Sequence, residues 1–152
     1  MRFEEFVVGS ELVSSPRLVS RDEIIEFASR YDQQPMHLDA GAARQGIYHD
    51  VIGSGFMSIA LAWSLWLDIG AQGEDGRGGI ALEECRWFLP LLPDTWVHAH
   101  VTIKAKRVSS SGHGLVTYEL SLRDAADEVL VSFRTIGIMA LSEADQADVD
   151  GG

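Results

Sequence analysis

The chain has 152 residues, 46% of them hydrophobic and 23% charged, an ordinary globular balance at the length of one domain. Lys and Arg total 12 against 23 Asp and Glu, a formal charge of −11 that argues against broad nucleic-acid binding and disfavours docking on anionic membranes. A single cysteine, Cys85, excludes an internal disulfide and cannot build a Cys-rich zinc site alone.

The first residues, Met1-Arg2-Phe3-Glu4-Glu5, are acidic and lack the apolar run of a secretory signal. The most apolar stretch, Phe56 to Leu67, is too short to span a bilayer. A soluble protein of a reducing, cytoplasmic compartment is the expectation. Residues 1–141 read as one domain. The acidic stretch from Ser142 to Gly152 has little to bury and is expected to fray.

In chain order, residues 3–8 read as a short strand before Gly9. Ser20 and Glu23 fit a capping box, and Ile24, Ile25, Phe27, Ala28 and Tyr31 follow as an amphipathic helical face. That helix should end near Asp32, because Pro35 pushes Gln34 toward extended backbone. A helical turn over Ala40 to Arg44 is expected after Asp39, with Asp39 as its cap. Ser54-Gly55 then opens a longer helix to Leu67, apolar on nearly every side and therefore predicted to be buried. Gly70 to Gly79 holds five glycines and reads as a mobile loop that could gate a pocket.

From Ile80 the pattern turns to strands: Ile80 to Phe88, Trp96 to Val108, Gly114 to Arg123 and Glu128 to Leu141. Three connections between them are short enough for antiparallel neighbours. The predicted fold class is α+β, an antiparallel sheet wrapped around one buried helix.

The segment that carries chemistry is Tyr31-Asp32-Gln33-Gln34-Pro35-Met36-His37-Leu38-Asp39. It places a carboxylate and an imidazole five residues apart across a proline-stiffened loop. Asp32 and His37 within reach of one water make a workable acid–base couple. On spacing alone, the reading of Asp32 as a turn cap and His37 as a polar loop residue ranks above the catalytic one. Ile52-Gly53-Ser54-Gly55 is the second element. Glycines there allow close backbone approach, and the free amides and dipole of the helix terminus suit a developing oxyanion. Simple helix entry, with Ser54 as the cap, is the other reading. A dinucleotide-binding loop is poorly supported, since no further Gly follows at the needed spacing.

The order of a capped helix, D-x-x-P-x-H, a short helical turn, S-G opening an apolar helix and an antiparallel sheet resembles the MaoC-like dehydratases, the (R)-specific enoyl-CoA hydratases of hot-dog fold. Arg86-Trp87-Phe88-Leu89-Pro90-Leu91-Leu92-Pro93-Asp94 resembles the strand and turn that follow in that family. The resemblance runs from about Phe3 to Leu141. It implies a hot-dog fold, with Asp32 and His37 as the catalytic pair that activates water. It implies Ser54 and Gly55, at the helix entry, as the substrate-binding residues, with the Gly55 amide on the substrate's thioester oxygen. It implies water addition to a trans-2-enoyl thioester of CoA or an acyl carrier, giving an (R)-3-hydroxyacyl product, with neither metal nor redox cofactor. It also implies a homodimer or higher homo-oligomer. Two departures stand out: Gln34 where Asn is usual, and Ser54 where His is common. An acyl-CoA thioesterase and a non-catalytic acyl-CoA-binding or scaffolding subunit are the alternatives on the same fold.

Other chemical candidates are weaker. His98 and His100 share one strand face without an evident third metal ligand. His49 and His113 read as solvated loop residues, and Cys85 as a small strand hydrophobe. Trp63 and Trp66 read as core. Arg86, Lys104, Lys106 and Arg107 read as scattered surface charge.

Overall fold

The computed structural model describes residues 1–143, so the acidic stretch expected to fray lies almost wholly outside the described residues. The chain opens with a single 3-10 turn, Phe3–Glu5. Two short strands follow, β1 (Glu11–Val13) and β2 (Arg17–Val19). Four helices come next: α1 (Arg21–Tyr31), α2 (Pro35–Leu38), α3 (Ala40–Arg44) and α4 (Gly55–Asp68). Four long strands complete the fold: β3 (Gly76–Trp87), β4 (Thr95–Val108), β5 (Gly114–Asp124) and β6 (Val129–Met139).

The six strands form one curved antiparallel sheet in the order β1-β4-β5-β6-β3, with β2 also paired to β4. Helix α4 lies on β4, β5 and β6. This is the α+β architecture expected, a sheet wrapped around one helix. No helix among the described residues is long and apolar enough to cross a membrane.

Helix α1 begins as its sequence dictates. The Ser20 hydroxyl accepts from the Glu23 amide at 3.2 Å, and the Glu23 carboxylate accepts from the Ser20 amide at 2.9 Å. Its end also falls as expected, with Asp32 at the C-cap. Asp39 caps α3 through the Ala42 amide at 2.8 Å.

The core forms where α4 meets the sheet. Met57, Leu61, Ala62, Leu65 and Trp66 are buried against alternate residues of β4 and β5, including Val97, Ala99, Val101, Tyr118, Leu120 and Leu122. Trp66, Tyr118 and Phe6 form an aromatic cluster with ring centroids 5.1–6.5 Å apart. Burying each such ring contributes roughly 1.5–3 kcal/mol. The Tyr118 ring lies over Gly137, where a Cβ would approach Cε2 to 2.9 Å, so only glycine fits beneath it. Burial pushes the phenol's pKa well above its usual value.

Five expectations change. Residues 3–8 are not a strand: Phe3 and Phe6 are both buried while Val7 and Val8 are exposed, a three-residue spacing that suits a 3-10 turn. The glycine-rich stretch from Gly70 is not all loop. It turns once through Gly73–Asp75 and enters β3 at Gly76, where Gly76, Gly78 and Gly79 pair irregularly with β6. Segment 35–38 is helical, with Pro35 at the first helical position, where its missing N–H costs nothing. Strands β3 and β4 are not neighbours; β3 crosses to pair with β6, leaving its other edge free among the described residues. Finally, α4 is not buried all round, since Phe56, Ala60 and Leu67 face outward.

Candidate active site

Asp32 ends α1, His37 sits in α2, and Ser54 caps α4. The fold brings all three together. The Ser54 hydroxyl donates to Asp32 Oδ2 at 2.7 Å, and His37 Nε2 lies 3.3 Å from the same oxygen. Gln34 Nε2 donates to Asp32 Oδ1 at 2.8 Å. Both carboxylate oxygens are thus fixed, and the side chain is 13% exposed. The Gln34 and Ser54 hydrogen bonds hold the Asp32 pKa below the ordinary carboxylate value. Nearby His37 adds to this, against the opposing effect of burial.

His37 is oriented from behind. Its Nδ1 lies 2.7 Å from the Ile52 carbonyl. A carbonyl only accepts, so Nδ1 carries the proton and donates it, and Nε2 faces Asp32. Ile52 is held in turn, its N–H donating to the Met36 carbonyl at 3.2 Å. Further back, Asp50 accepts from the Val51 amide at 2.7 Å and pairs with Arg21 through two contacts of 2.8 and 3.2 Å.

Asp32, Gln34, His37, Ile52, Gly53 and Gly55 line one cavity of about 340 Å³, together with Ser58 and the apolar residues Met36, Tyr48, Phe56, Trp87, Phe88, Leu89, Pro90 and Leu91. Gly55 is the first residue of α4, where amides have no intrahelical acceptor. Its N–H has no acceptor among the described residues. Trp87 explains why a glycine stands there: the indole N–H donates to the Gly55 carbonyl at 2.9 Å, and a Cβ on residue 55 would lie 2.5 Å from Nε1. Gly53 is required similarly, as a Cβ there would meet Leu91 Cδ2 at 2.7 Å.

Of the four residues singled out from sequence, Asp32, His37 and Gly55 reach the cavity. Ser54 does not. It is fully buried behind Asp32, where its hydroxyl supports the carboxylate and accepts from the Phe56 amide at 3.2 Å. Sequence reading named Gln34 only as a departure, and it named neither the Ile52 carbonyl nor the indole of Trp87 as part of the site. The first carries no side-chain signal, and the second depends on a bulge in β3.

Other polar groups are already occupied by one another. A larger concavity, about 660 Å³, lies on the outer sheet face around His100, Glu119 and Arg123. His100 faces Glu11 at 3.8 Å, His98 faces Asp127 at 3.2 Å, and Arg123 pairs with Asp127 at 3.1 Å. Among the described residues no three His, Cys, Asp or Glu are grouped to hold a metal ion. Cys85 is half-buried, and desolvation raises its pKa, which disfavours a thiolate.

Residues 5–123 match the MaoC-like domain family. The chain is 30% identical to the uncharacterized protein YdeM of Bacillus subtilis over 121 residues, 80% of this chain and 86% of that protein. The MaoC-like dehydratase of Rhodospirillum rubrum superposes with a TM-score of 0.85 at 25% identity, covering 93% of this chain and 98% of that one. The (R)-hydratase PhaJ1 of Pseudomonas aeruginosa shares the fold, with a TM-score of 0.75 at 17% identity over 93% and 86% of the two chains. A sheet curved around α4, a D-x-x-P-x-H segment folded against the start of that helix, and a family match over most of the chain agree, and this protein belongs to the MaoC-like domain family with the hot-dog fold.

Proposed function

We propose that the protein is an acyl-thioester hydratase/dehydratase, adding water reversibly to a trans-2-enoyl thioester to give the (R)-3-hydroxyacyl thioester. The observation that carries this reading is the convergence of an Asp–His pair and an unpaired helix-terminal amide on one largely apolar cavity. The apolar walls suit an acyl group and strengthen the electrostatics within.

In this reading the thioester oxygen accepts from the Gly55 N–H, at the positive end of the α4 dipole. Asp32 Oδ2 and His37 Nε2 are close enough to share one water. Asp32 takes a proton from that water as its oxygen bonds to C3. The C2–C3 electron pair moves toward the thioester, and the resulting enolate is held at Gly55. A proton then returns from the Asp32–His37 pair to C2. The net change is OH on C3 and H on C2; dehydration runs the same steps backwards. Fixing both Asp32 oxygens and the His37 tautomer beforehand removes reorganisation from the reaction step. This chemistry needs neither metal nor redox cofactor.

A second copy of the chain is the inferred partner. Phe56 and Leu67 on α4 and Ile80, Leu82 and Trp87 on β3 expose large apolar side chains, and β3 has one edge unpaired among the described residues. Such an edge and patch favour coverage by another subunit. Sedimentation equilibrium should return twice the chain mass or a multiple of it.

The functional reading is tested by an enoyl-CoA hydration assay over several acyl lengths, with chiral product analysis. Formation of the (R)-alcohol, lost in Asp32→Asn and His37→Ala while both remain folded, is the expected result. Release of free CoA would assign a thioesterase instead, and binding without turnover would assign an acyl-CoA-binding subunit.

A further inference from the structure

The hydration chemistry leaves one cavity-lining hydroxyl without a role. Ser58 lies on α4, one turn beyond Ser54, and lines the same cavity as Asp32 and His37. It is 3% exposed. A helical serine ordinarily faces water or bonds the carbonyl one turn back. The Ser58 hydroxyl does neither: the Ser54 carbonyl receives the Ser58 backbone N–H at 3.2 Å, and the side-chain oxygen has no hydrogen-bond partner among the described residues. Nor is that oxygen among the sealed, unpartnered side-chain atoms, which are the Tyr118 hydroxyl and Arg134 Nε. It therefore opens to the cavity.

The other polar side chains of the cavity are committed. Gln34 is bound to Asp32, His37 to the Ile52 carbonyl and Trp87 to the Gly55 carbonyl, while Tyr48 stands half-exposed at the rim. A hydroxyl open to a cavity whose other polar side chains are committed is available to bond a polar atom placed there.

Its depth says which atom. Ser58 is three residues beyond Gly55, about 4.5 Å along the helix axis. A substrate carbonyl held at the Gly55 amide puts C2 and C3 beside Asp32 and His37. An extended acyl chain then reaches Ser58 at about its fourth carbon.

We propose that the cavity selects an enoyl thioester bearing a hydrogen-bonding oxygen on C4, which the Ser58 hydroxyl receives. The inference rests on the hydratase reading for the placement of the carbonyl at Gly55. Its energetic basis is asymmetric: a site that hydrogen-bonds a substrate hydroxyl discriminates against the analogue lacking it far more strongly than an apolar pocket discriminates between alkyl groups.

The test compares trans-4-hydroxybut-2-enoyl-CoA with trans-pent-2-enoyl-CoA, which differ by a hydroxyl in place of a methyl. The wild-type protein should prefer the hydroxylated substrate at least tenfold in kcat/KM. Ser58→Ala and Ser58→Cys, checked for folding by thermal melting, should bring the two within twofold of each other. A wild-type ratio near one, or a preference that survives in Ser58→Ala, overturns the inference.

A binding arm separates this result from the hydratase reading. Saturated 4-hydroxybutyryl and pentanoyl CoA analogues, with the thioester sulfur replaced by methylene, are titrated calorimetrically into the wild-type and Ser58→Ala proteins. Tighter binding of the hydroxylated analogue that requires Ser58, with no enoyl turnover, sustains the polar subsite and removes the hydratase reading. Equal binding of the two, with turnover present, removes the subsite and leaves the hydratase reading intact.

Discussion

The two walls of the cavity are built differently. On one side, Asp32, His37 and Gly55 come from the α1–α4 segment, and each is tied by hydrogen bonds that name its orientation: Gln34 and Ser54 on Asp32, the Ile52 carbonyl on His37, the Trp87 indole on Gly55. On the other side, Trp87, Phe88 and Leu89 come from the end of an edge strand and are at least two-fifths exposed. That strand is bulged between Glu83 and Arg86, with Glu84 at φ 49°. The difference teaches a division of labour. The fixed wall holds the groups that must be positioned before reaction, and the looser wall holds apolar surface that can adapt to a substrate or a second subunit.

The largest expected effect breaks the fixed wall at its chemistry. Asp32→Asn should lower kcat on an enoyl thioester by roughly 10²–10⁴-fold. Its melting curve should remain cooperative, since the amide keeps the size of the carboxylate. An active Asp32→Asn would place the base elsewhere on the cavity.

Gly55→Ala tests the contact between the walls. The new Cβ would lie 2.5 Å from Trp87 Nε1, so the indole or the helix start must move. Overpacking of this kind costs about 1–3 kcal/mol, read by denaturant melts. Pairing it with Trp87→Leu should recover part of the loss; no recovery would mean that the two walls do not bear on each other.

Gln34→Leu sharpens the comparison through pH. Gln34 is the leading cause of the lowered Asp32 pKa, because its N–H stabilises the charged form. Removing it disfavours the carboxylate and raises the pKa, so the acid limb of kcat/KM should move to higher pH. The stability term follows the same sign. A depressed folded-state pKa stabilises the protein above the unfolded value near 4, and this contribution is lost as pH falls through the folded value. Gln34→Leu should therefore narrow the difference in stability between neutral and acid pH. An unmoved acid limb would assign that limb to another group.

The smallest effect lies at the outer support of the fixed wall. Arg21 and Asp50 are each about two-fifths exposed, so their ion pair is screened by solvent and weakens with salt. Arg21→Gln should show only a small stability loss at low salt that fades at high salt. A fall in kcat beyond it would extend the fixed wall back to the start of α1.

The two walls also differ in how far the sequence announced them. The capping box at Ser20 and Glu23, the Asp32–Pro35–His37 spacing and the Ser54-Gly55 entry are local signals, and all appear where local chemistry puts them. The resemblance to MaoC-like dehydratases joined them into one site, which spacing alone left open. The rest depends on partners distant in the chain. Glu84 carries no residue signal for a left-handed backbone, so the bulge that aims Trp87 was not legible. The entry of β3 at Gly76 was masked by its glycines, which look like loop until β6 pairs with them. Short connection length suggested β3 beside β4, yet the sheet places β3 against β6 instead. Ser54 shares the helix entry with Gly55, but its hydroxyl turns inward to Asp32 instead of facing the cavity, a direction that no local signal gives.

The fit of Tyr118 over Gly137 has a consequence for how the loose wall finds its place. Strand β6 is held between β5, which carries Tyr118, and β3, which ends at Trp87. A slip of β6 by two residues along β5 would keep the inward face inward, yet would bring Thr135 or Met139 under the ring, where no side chain fits. The absent side chain thus acts as a keyway: it admits one seating of β6, and β3 inherits that seating through its own pairing. The indole above Gly55 is aligned by a notch on a different strand, and a larger residue in that notch would be read out first as misassembly of the sheet, before any failure of the catalytic groups themselves.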